Sequence, residues 1–389
     1  MGNYHRYPLC THSGSPPPLS GHQDGKMTQK EWALSLSLVP GVGGKLYLKL
    51  TETLGSPQNI LQASKEELES VPGVGPRISQ AILSPEIRGK TYRVLEILGK
   101  RGIQYVVLWE EGYPPALREL SSPPPVLFFK GDLQPLKAPS ITVVGTRNAS
   151  RYGMDMAFNL AQDLSQAGFT IISGLARGID TAAHRGALQT GKTVAFVGSG
   201  LDRIYPPENI PLAREIVEKG GAVISPFPPE TPPEKGNFPR RNLLMASLAS
   251  GVLVVEAGEK SGAVMTARLA QNLGKTLFAL PGPAGSPRTK GVHSLIKQGA
   301  FLIEEAGDIL EILRPGASSK KETKIKKPIA MDEREEKVWE VLEEGPLPVD
   351  IIVEKCNLSL QEAYTLLLEM ELKGLVTSRG GNTYERRIT

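Results

Sequence analysis

The chain has 389 residues, 40% of them hydrophobic, which is too long for one ordinary core and apolar enough to fold, so two or three domains are expected. Its two cysteines, Cys10 and Cys356, are far apart and lack CxxC or histidine spacing, which excludes a disulfide framework and a zinc site and suits a reducing cytoplasm. The net charge of +4 hides an asymmetry, because residues 331–389 hold 7 Lys/Arg against 13 Asp/Glu while the preceding 330 carry 38 basic and 28 acidic side chains. A polyanionic partner therefore suits the body of the chain and not its end.

Residues 1–27 begin with a segment rich in Pro, Ser, Gly and His that lacks the apolar core of a signal peptide. They are expected to be a disordered tail, with Met27 as a candidate start. No later run approaches the roughly 20 apolar residues of a spanning helix, so no membrane partner is expected. Residues 28–98 show helical apolar spacing in EWALSLSLV, KLYLKLTETL and ISQAIL, interrupted by VPGVGGKL at 39–46 and VPGVGPRI at 71–78. Helix, PGVG, helix is the helix-hairpin-helix pattern, in which glycines let backbone N–H groups approach a phosphate and Lys45 and Arg77 stand ready for a second contact. The same turns also serve merely to reverse the chain between packed helices.

Residues 99–140 hold two strand-like runs, VVLW and VLFF, separated by prolines, and are expected to be an extended lead-in. From 141 to 281 follow ITVVGTRNAS, FTIISGLARGIDTAAHRGAL, TVAFVGSG, GAVISP, SGVLVVEAGEKSGAVMTA and TLFALPG. Each is a short apolar run emptying into glycine, hydroxyl and arginine residues. Such runs are strands buried on both faces, and helical stretches between them predict an α/β domain built on a doubly wound parallel sheet, over 99–313. Ligands of such sheets bind outside the carboxyl ends of the strands. Residues 314–330 read as a basic linker whose five lysines are a solvated tether. Residues 331–389 read as three helices and a hairpin around Gly380 and Gly381, a winged helix. Its third helix carries Glu362, Glu369 and Glu371 against Lys373 alone, which argues against reading bases in the major groove and for contact with protein or with itself.

The candidate binding residues lie at the strand ends. After the first strand of the sheet, Gly145 removes bulk, Thr146 and Ser150 offer hydroxyls at a helix start, and Arg147 supplies a guanidinium fork for phosphate oxygens. Gly174, Arg177 and Gly178 repeat this logic one strand over, which predicts two adjacent cradles for successive phosphates. Asp180 could meet a sugar hydroxyl, orient Arg177 or cap its helix, and His184 is expected to be packed rather than a general base. Arg240, Arg241 and Asn242 follow Phe238, whose ring is either a stacking platform for a base or a core residue with one arginine paired to Glu256. Ser261 and Thr266, with Lys275 opening the next strand, form a further anion cradle. No Walker loop, GxGxxG turn, metal cluster, nucleophile elbow or reactive cysteine is present, so neither a cofactor nor catalysis is expected.

The motifs GTRNASRYG, SGLARGIDTAAHRGAL, VGSGLDRIYPPEN, FPRRN, VVEAGEKSGAVMTAR and ALPG, in this order, resemble the DNA-processing protein A (DprA, or Smf) family over about 28–389. The resemblance implies an N-terminal helical, SAM-like domain, an extended Rossmann-like domain and a C-terminal winged helix. It also implies a non-enzymatic role: binding and protecting incoming single-stranded DNA, loading the RecA recombinase during natural transformation, and working as a homodimer through the Rossmann-like domain. The DNA-contacting positions it implies are Gly145, Thr146, Arg147, Ser150, Gly174, Arg177, Gly178, Arg240, Arg241 and Asn242, with Ser261, Thr266 and Lys275. Leu243 stands where the family pattern has a further arginine. The alternative of a nucleotide-hydrolysing enzyme, like the related phosphoribohydrolases, meets VVEAGEKSGAVMTA in place of their PGGxGTxxE.

Overall fold

The structure is a computed structural model that describes residues 27–313, 331–380 and 382–386. The expected tail at 1–26, the basic linker at 314–330 and Gly381 of the predicted hairpin lie outside the described residues. Two compact units form, Met1–Ala317 and Ser318–Thr389.

The first unit opens with helices α1 (Gln29–Ser37), α2 (Gly44–Leu54), α3 (Pro57–Gln62), α4 (Lys65–Glu69), α5 (Pro76–Leu83) and α6 (Glu86–Arg101). Thr28 starts α1 through a capping box with Glu31. The two PGVG turns lead into α2 and α5, with Gly41 at φ +89° and Gly73 at φ +104°, a left-handed conformation that side chains avoid. A Cβ on Gly41 would touch Ile78 of α5, and one on Gly73 would touch Leu46 of α2, so each hairpin packs on the helix of the other. Tyr47, Leu50, Ile60, Leu68 and Ile82 fill the core between them. Ala33, Leu34, Val94 and Leu98 belong instead to a cluster with Val107, Phe128, Leu212 and Val223, which seats α1 and α6 on the sheet.

The sheet has nine strands: β1 (Gln104–Val107), β2 (Val126–Gly131), β3 (Ser140–Val144), β4 (Thr170–Ser173), β5 (Thr193–Phe196), β6 (Ala222–Ser225), β7 (Gly251–Val254), β8 (Thr276–Ala279) and β9 (Phe301–Leu302). They lie in the order β1-β2-β6-β5-β4-β3-β7-β8-β9. Pairings from β6 to β9 are parallel, whereas β1–β2 and β2–β6 are antiparallel. The expected lead-in is therefore corrected: its VVLW and VLFF runs are strands of the sheet itself, because β2 finds an open backbone ladder on β6. Connecting helices are α7 (Pro115–Arg118), α8 (Arg151–Gln166), α9 (Ile179–Thr190), α10 (Ile210–Glu218), α11 (Asn237–Leu248), α12 (Gly262–Asn272), α13 (Lys290–Lys297) and α14 (Ala306–Leu313).

Strand side chains alternate between faces. Val143 and Leu253 join α8, α9 and α14 in one core, while Val144, Val252 and Val254 join α11, α12 and α13 in another. The sheet is thus covered on both sides, as its near-continuous apolar strands require.

In the second unit α15 (Glu333–Val341), α16 (Val349–Cys356) and α17 (Leu360–Leu372) pack on a small sheet of β10 (Leu347–Pro348), β12 (Thr383–Arg386) and β11 (Val376–Gly380). This is the winged helix read from the sequence, with β10 in place of a plain turn. Val338, Ile352, Leu367 and Met370 form its core. Lys373 Nζ sits 2.7 Å from the buried Glu335 carboxylate, so the cation that ends α17 is tied to α15.

Candidate nucleic-acid interface

Strand order reverses beside β3: the chain winds outward through β4, β5 and β6, then returns to place β7 on the other side of β3. Val144 stands opposite Val254, so the carboxyl ends of both strands open at one level. This is the crevice in which open α/β sheets hold ligands. A cavity of about 300 Å³ occupies it, lined by the loop Gly145–Asn148, by Ala176 and Asp180, by Phe238, Arg241, Asn242 and Met245 of α11, and by Ser261 to Ala263 and Thr266 of α12.

Gly145 lets α9 close in, since a Cβ there would lie 2.4 Å from Ile179 Cγ1. Thr146 N–H donates to the Glu256 carbonyl at 2.7 Å, locking the loop to the end of β7. The Ser150 hydroxyl accepts from Gly153 N–H at 3.0 Å, capping α8, and donates to the Glu256 carboxylate, which also receives the Ser150 N–H at 2.9 Å. Ser150 is thus committed within the protein and does not line the cavity. Glu256 pairs with this serine and not with an arginine, so that expectation is corrected; the carboxylate sits 2.5 Å from where a Gly153 Cβ would be.

The loop after β4 departs from the expected second cradle. A Cβ on Gly174 would stand 1.7 Å from Arg241 Nη1 and 2.7 Å from Asp180 Oδ2, so this glycine clears space for a guanidinium beside a carboxylate. Gly178, at φ +74°, brings its own Cα against the carbonyls of Thr146 and Arg147. Arg177 is exposed, forms an ion pair with Glu208 and is not among the cavity residues. Asp180 Oδ2 accepts from Gly174 and Ala176 N–H groups at 3.1 and 3.3 Å, and it faces Arg241 rather than orienting Arg177.

Arg241 is 5% exposed and donates from Nη1 to the Phe196 carbonyl at 2.8 Å. Burial, opposed by Asp180 and reinforced by Arg147, lowers its pKa to about 10, so it stays charged at neutral pH. Burial likewise raises Asp180, with Arg241 and the two amides holding it down. His184 is buried and pushed down to about 3 by burial and then by Arg241, hence neutral. Its Nδ1 donates to Thr193 Oγ1 at 2.7 Å, since that hydroxyl already donates to the Ile171 carbonyl, and it is packed as expected.

Phe238 is half-buried in the cavity lining, with the Arg147 and Arg241 guanidinium carbons 5.5 and 5.9 Å from its ring centre. Arg147 is exposed and, among the described residues, has no carboxylate partner. Arg240 is exposed outside the cavity lining. Ser261 caps α12 through the Val264 N–H at 3.3 Å, and Thr266 donates to the Gly262 carbonyl one turn on. The helix dipole and free amides of α12 thus meet the cavity. Lys275 is corrected: it precedes β8, whose Thr276 pairs with Gly251 at the amino end of β7, so it lies at the opposite end of the strands. A parallel sheet puts strand starts a full strand length from the ligand edge. A second cavity of about 390 Å³ between α12 and α13 mixes Glu259 with Lys260 and Arg268.

Residues 104–314 match the DNA recombination-mediator protein A family, 322–382 the DprA winged helix domain and 33–84 the SAM-like helix-hairpin-helix tandem. The chain belongs to the DprA/Smf family. Protein Smf of Escherichia coli is 41% identical over 278 residues, 70% of this chain and 74% of that protein. Protein Smf of Synechocystis is 32% identical over 92% of this chain and 99% of its own length. Among solved structures, DprA of Streptococcus pneumoniae covers 73% of this chain and 98% of its own at TM-score 0.59 and 34% identity. DprA of Helicobacter pylori, described for its single-stranded DNA binding mode, covers 54% of this chain and 95% of its own at TM-score 0.50 and 33% identity. As a DprA/Smf member the chain has a DNA-processing family's fold throughout: hairpin tandem, Rossmann-like sheet and winged helix. Among the described residues no helix is long and apolar enough to cross a membrane, and no three His, Cys, Asp or Glu are grouped to hold a metal.

Proposed function

We propose that the crevice beside β3 and β7 binds single-stranded DNA without altering it covalently, protecting incoming strands and presenting them to the RecA recombinase in natural transformation. The observation that carries this reading is Arg147: an exposed guanidinium that has no carboxylate partner among the described residues, set over the Phe238 ring beside the α12 amino end. Phosphate, base and helix dipole each find a complementary group there. The single-stranded DNA named for the Helicobacter pylori relative supports the same choice. A homodimer belongs to this proposal, supported by edge strand β9, where Phe301 and Leu302 are about half exposed.

The cavity volume would also admit one mononucleotide, which keeps a hydrolase in view. Asp180, which lines the cavity, and the buried Glu256 at the end of β7 are however engaged by amide or hydroxyl donors, leaving no prepared base. Binding of single- and double-stranded oligonucleotides as salt is raised, beside a nucleotide-hydrolysis assay, separates the readings. Salt-sensitive preference for single strands with no turnover is expected; turnover of a mononucleotide lost with Arg147→Ala would overturn the proposal.

A further inference from the structure

The winged helix presents an apolar ridge along its third helix, of which only Tyr364 packs partly on its own core. Along α17, Leu360, Tyr364, Leu368 and Leu372 recur every fourth residue, and Leu360, Leu368 and Leu372 are 50%, 57% and 81% exposed. The core side of the same helix is Ala363, Leu366, Leu367 and Met370. At 1.5 Å per residue the ridge runs about 18 Å, the contact length of one helix packed on another. Glu369 and Glu371 flank Leu368 and Leu372 on either side, Glu369 exposed and Glu371 also accepting the Ser378 N–H at 3.2 Å, whereas Glu362 is committed to the Ser359 capping box at the start of the helix. Lys373 is drawn off to Glu335.

We infer that this ridge docks a basic amphipathic helix of a partner protein, one with an apolar stripe of its own flanked by Lys or Arg. The charges select this occupant. A second copy of α17 would set Glu369 and Glu371 against themselves, nucleic acid would meet carboxylates, and an anionic lipid surface would be repelled by the same groups. A cationic helix satisfies both the leucines and the flanking carboxylates. The inference is independent of the DNA-binding crevice.

The test uses the full chain and a fluorescent helical peptide of roughly 14 residues with leucines four apart and lysine flanks. Saturable binding by fluorescence polarisation is expected, weakening about tenfold in L368S/L372S, whose side chains lie outside the core. E369Q/E371Q should weaken it about threefold and flatten its salt dependence. Oligo-dT binding should be unchanged in both variants, which separates failure here from failure of the crevice. The inference is overturned if the peptide does not bind or binds L368S/L372S as well as the parent. It is also overturned if a glutamate-flanked peptide binds equally, or if L368S/L372S instead abolishes self-association in the ultracentrifuge.

Discussion

The loops Gly145–Ser150 and Gly174–Gly178 are spelled alike, a strand ending in glycine with an arginine close behind, and they do different work. The first forms the cavity wall and leaves Arg147 at its mouth, over the Phe238 ring and, among the described residues, without a carboxylate partner. The second turns its arginine outward to Glu208 and uses Gly174 to admit Arg241 from α11. The buried cation of the crevice is thus donated by a helix distant in sequence, and the loop that resembled a cradle is its support. The lesson is that a glycine beside a charge can make room for another side chain of the same protein as readily as for a ligand.

Breaking that support should have the largest effect. Arg241→Ala leaves the buried Asp180 without its counter-charge and is expected to cost about 3–5 kcal/mol of stability in urea unfolding, with oligo-dT binding lost as well. A stable Arg241→Ala protein would mean that the buried pair is dispensable. Gly174→Ala forces its Cβ into the guanidinium and should cost about 1–3 kcal/mol by the same measurement. Arg147→Ala should leave unfolding unchanged and weaken oligo-dT binding by about 1.5–3 kcal/mol in a polarisation titration. Unaltered affinity would remove Arg147 from the site.

The support is also visible in its pH response. Unfolded His184 takes up a proton near its usual 6.5, whereas the folded imidazole waits until about 3, so its contribution is complete above 6.5 and is lost as pH falls towards 3. The slope is at most about 1.4 kcal/mol per pH unit. Asp180, raised by burial, works the other way, its contribution being lost as pH rises through its folded value. Comparing melting from pH 7 to 5 in wild type and His184→Gln isolates the histidine, and parallel curves would show that it does not titrate in this manner. The smallest effect belongs to Arg177→Ala, exposed and screened, which should bind oligo-dT within about twofold of wild type. A loss matching that of Arg147→Ala would restore the second cradle.

Much of this was legible in the chain itself. Short β-branched runs emptying into glycine predicted buried parallel strands, the paired PGVG turns predicted two hairpins, and Glu362, Glu369 and Glu371 marked an acidic third helix. Gly145, Thr146, Arg147, Arg241, Asn242, Ser261 and Thr266 do gather at one cavity. Lys275 was misjudged because a cation near a loop carries no sign of the end of the strand on which it sits, and Ser150, placed rightly at a helix start, spends its hydroxyl inside the protein on Gly153 and Glu256. The two PGVG turns show the same limit. Lys45 N–H, behind the first, donates to Ser122 Oγ at 3.1 Å, and a Cβ on Gly44 just after it would lie 2.1 Å from the Pro123 carbonyl, whereas the last glycines of both turns, Gly43 and Gly75, face open space.

Local pattern determined which segments are strands and helices, where the strands empty into binding chemistry and which end of the chain is acidic, since periodicity and charge are properties of neighbours in sequence. Which arginine is buried, which is free, and that β2 extends the sheet through β6 were decided only when distant segments met. Close packing assigns each space and each hydrogen-bond partner once, and no residue carries that assignment alone.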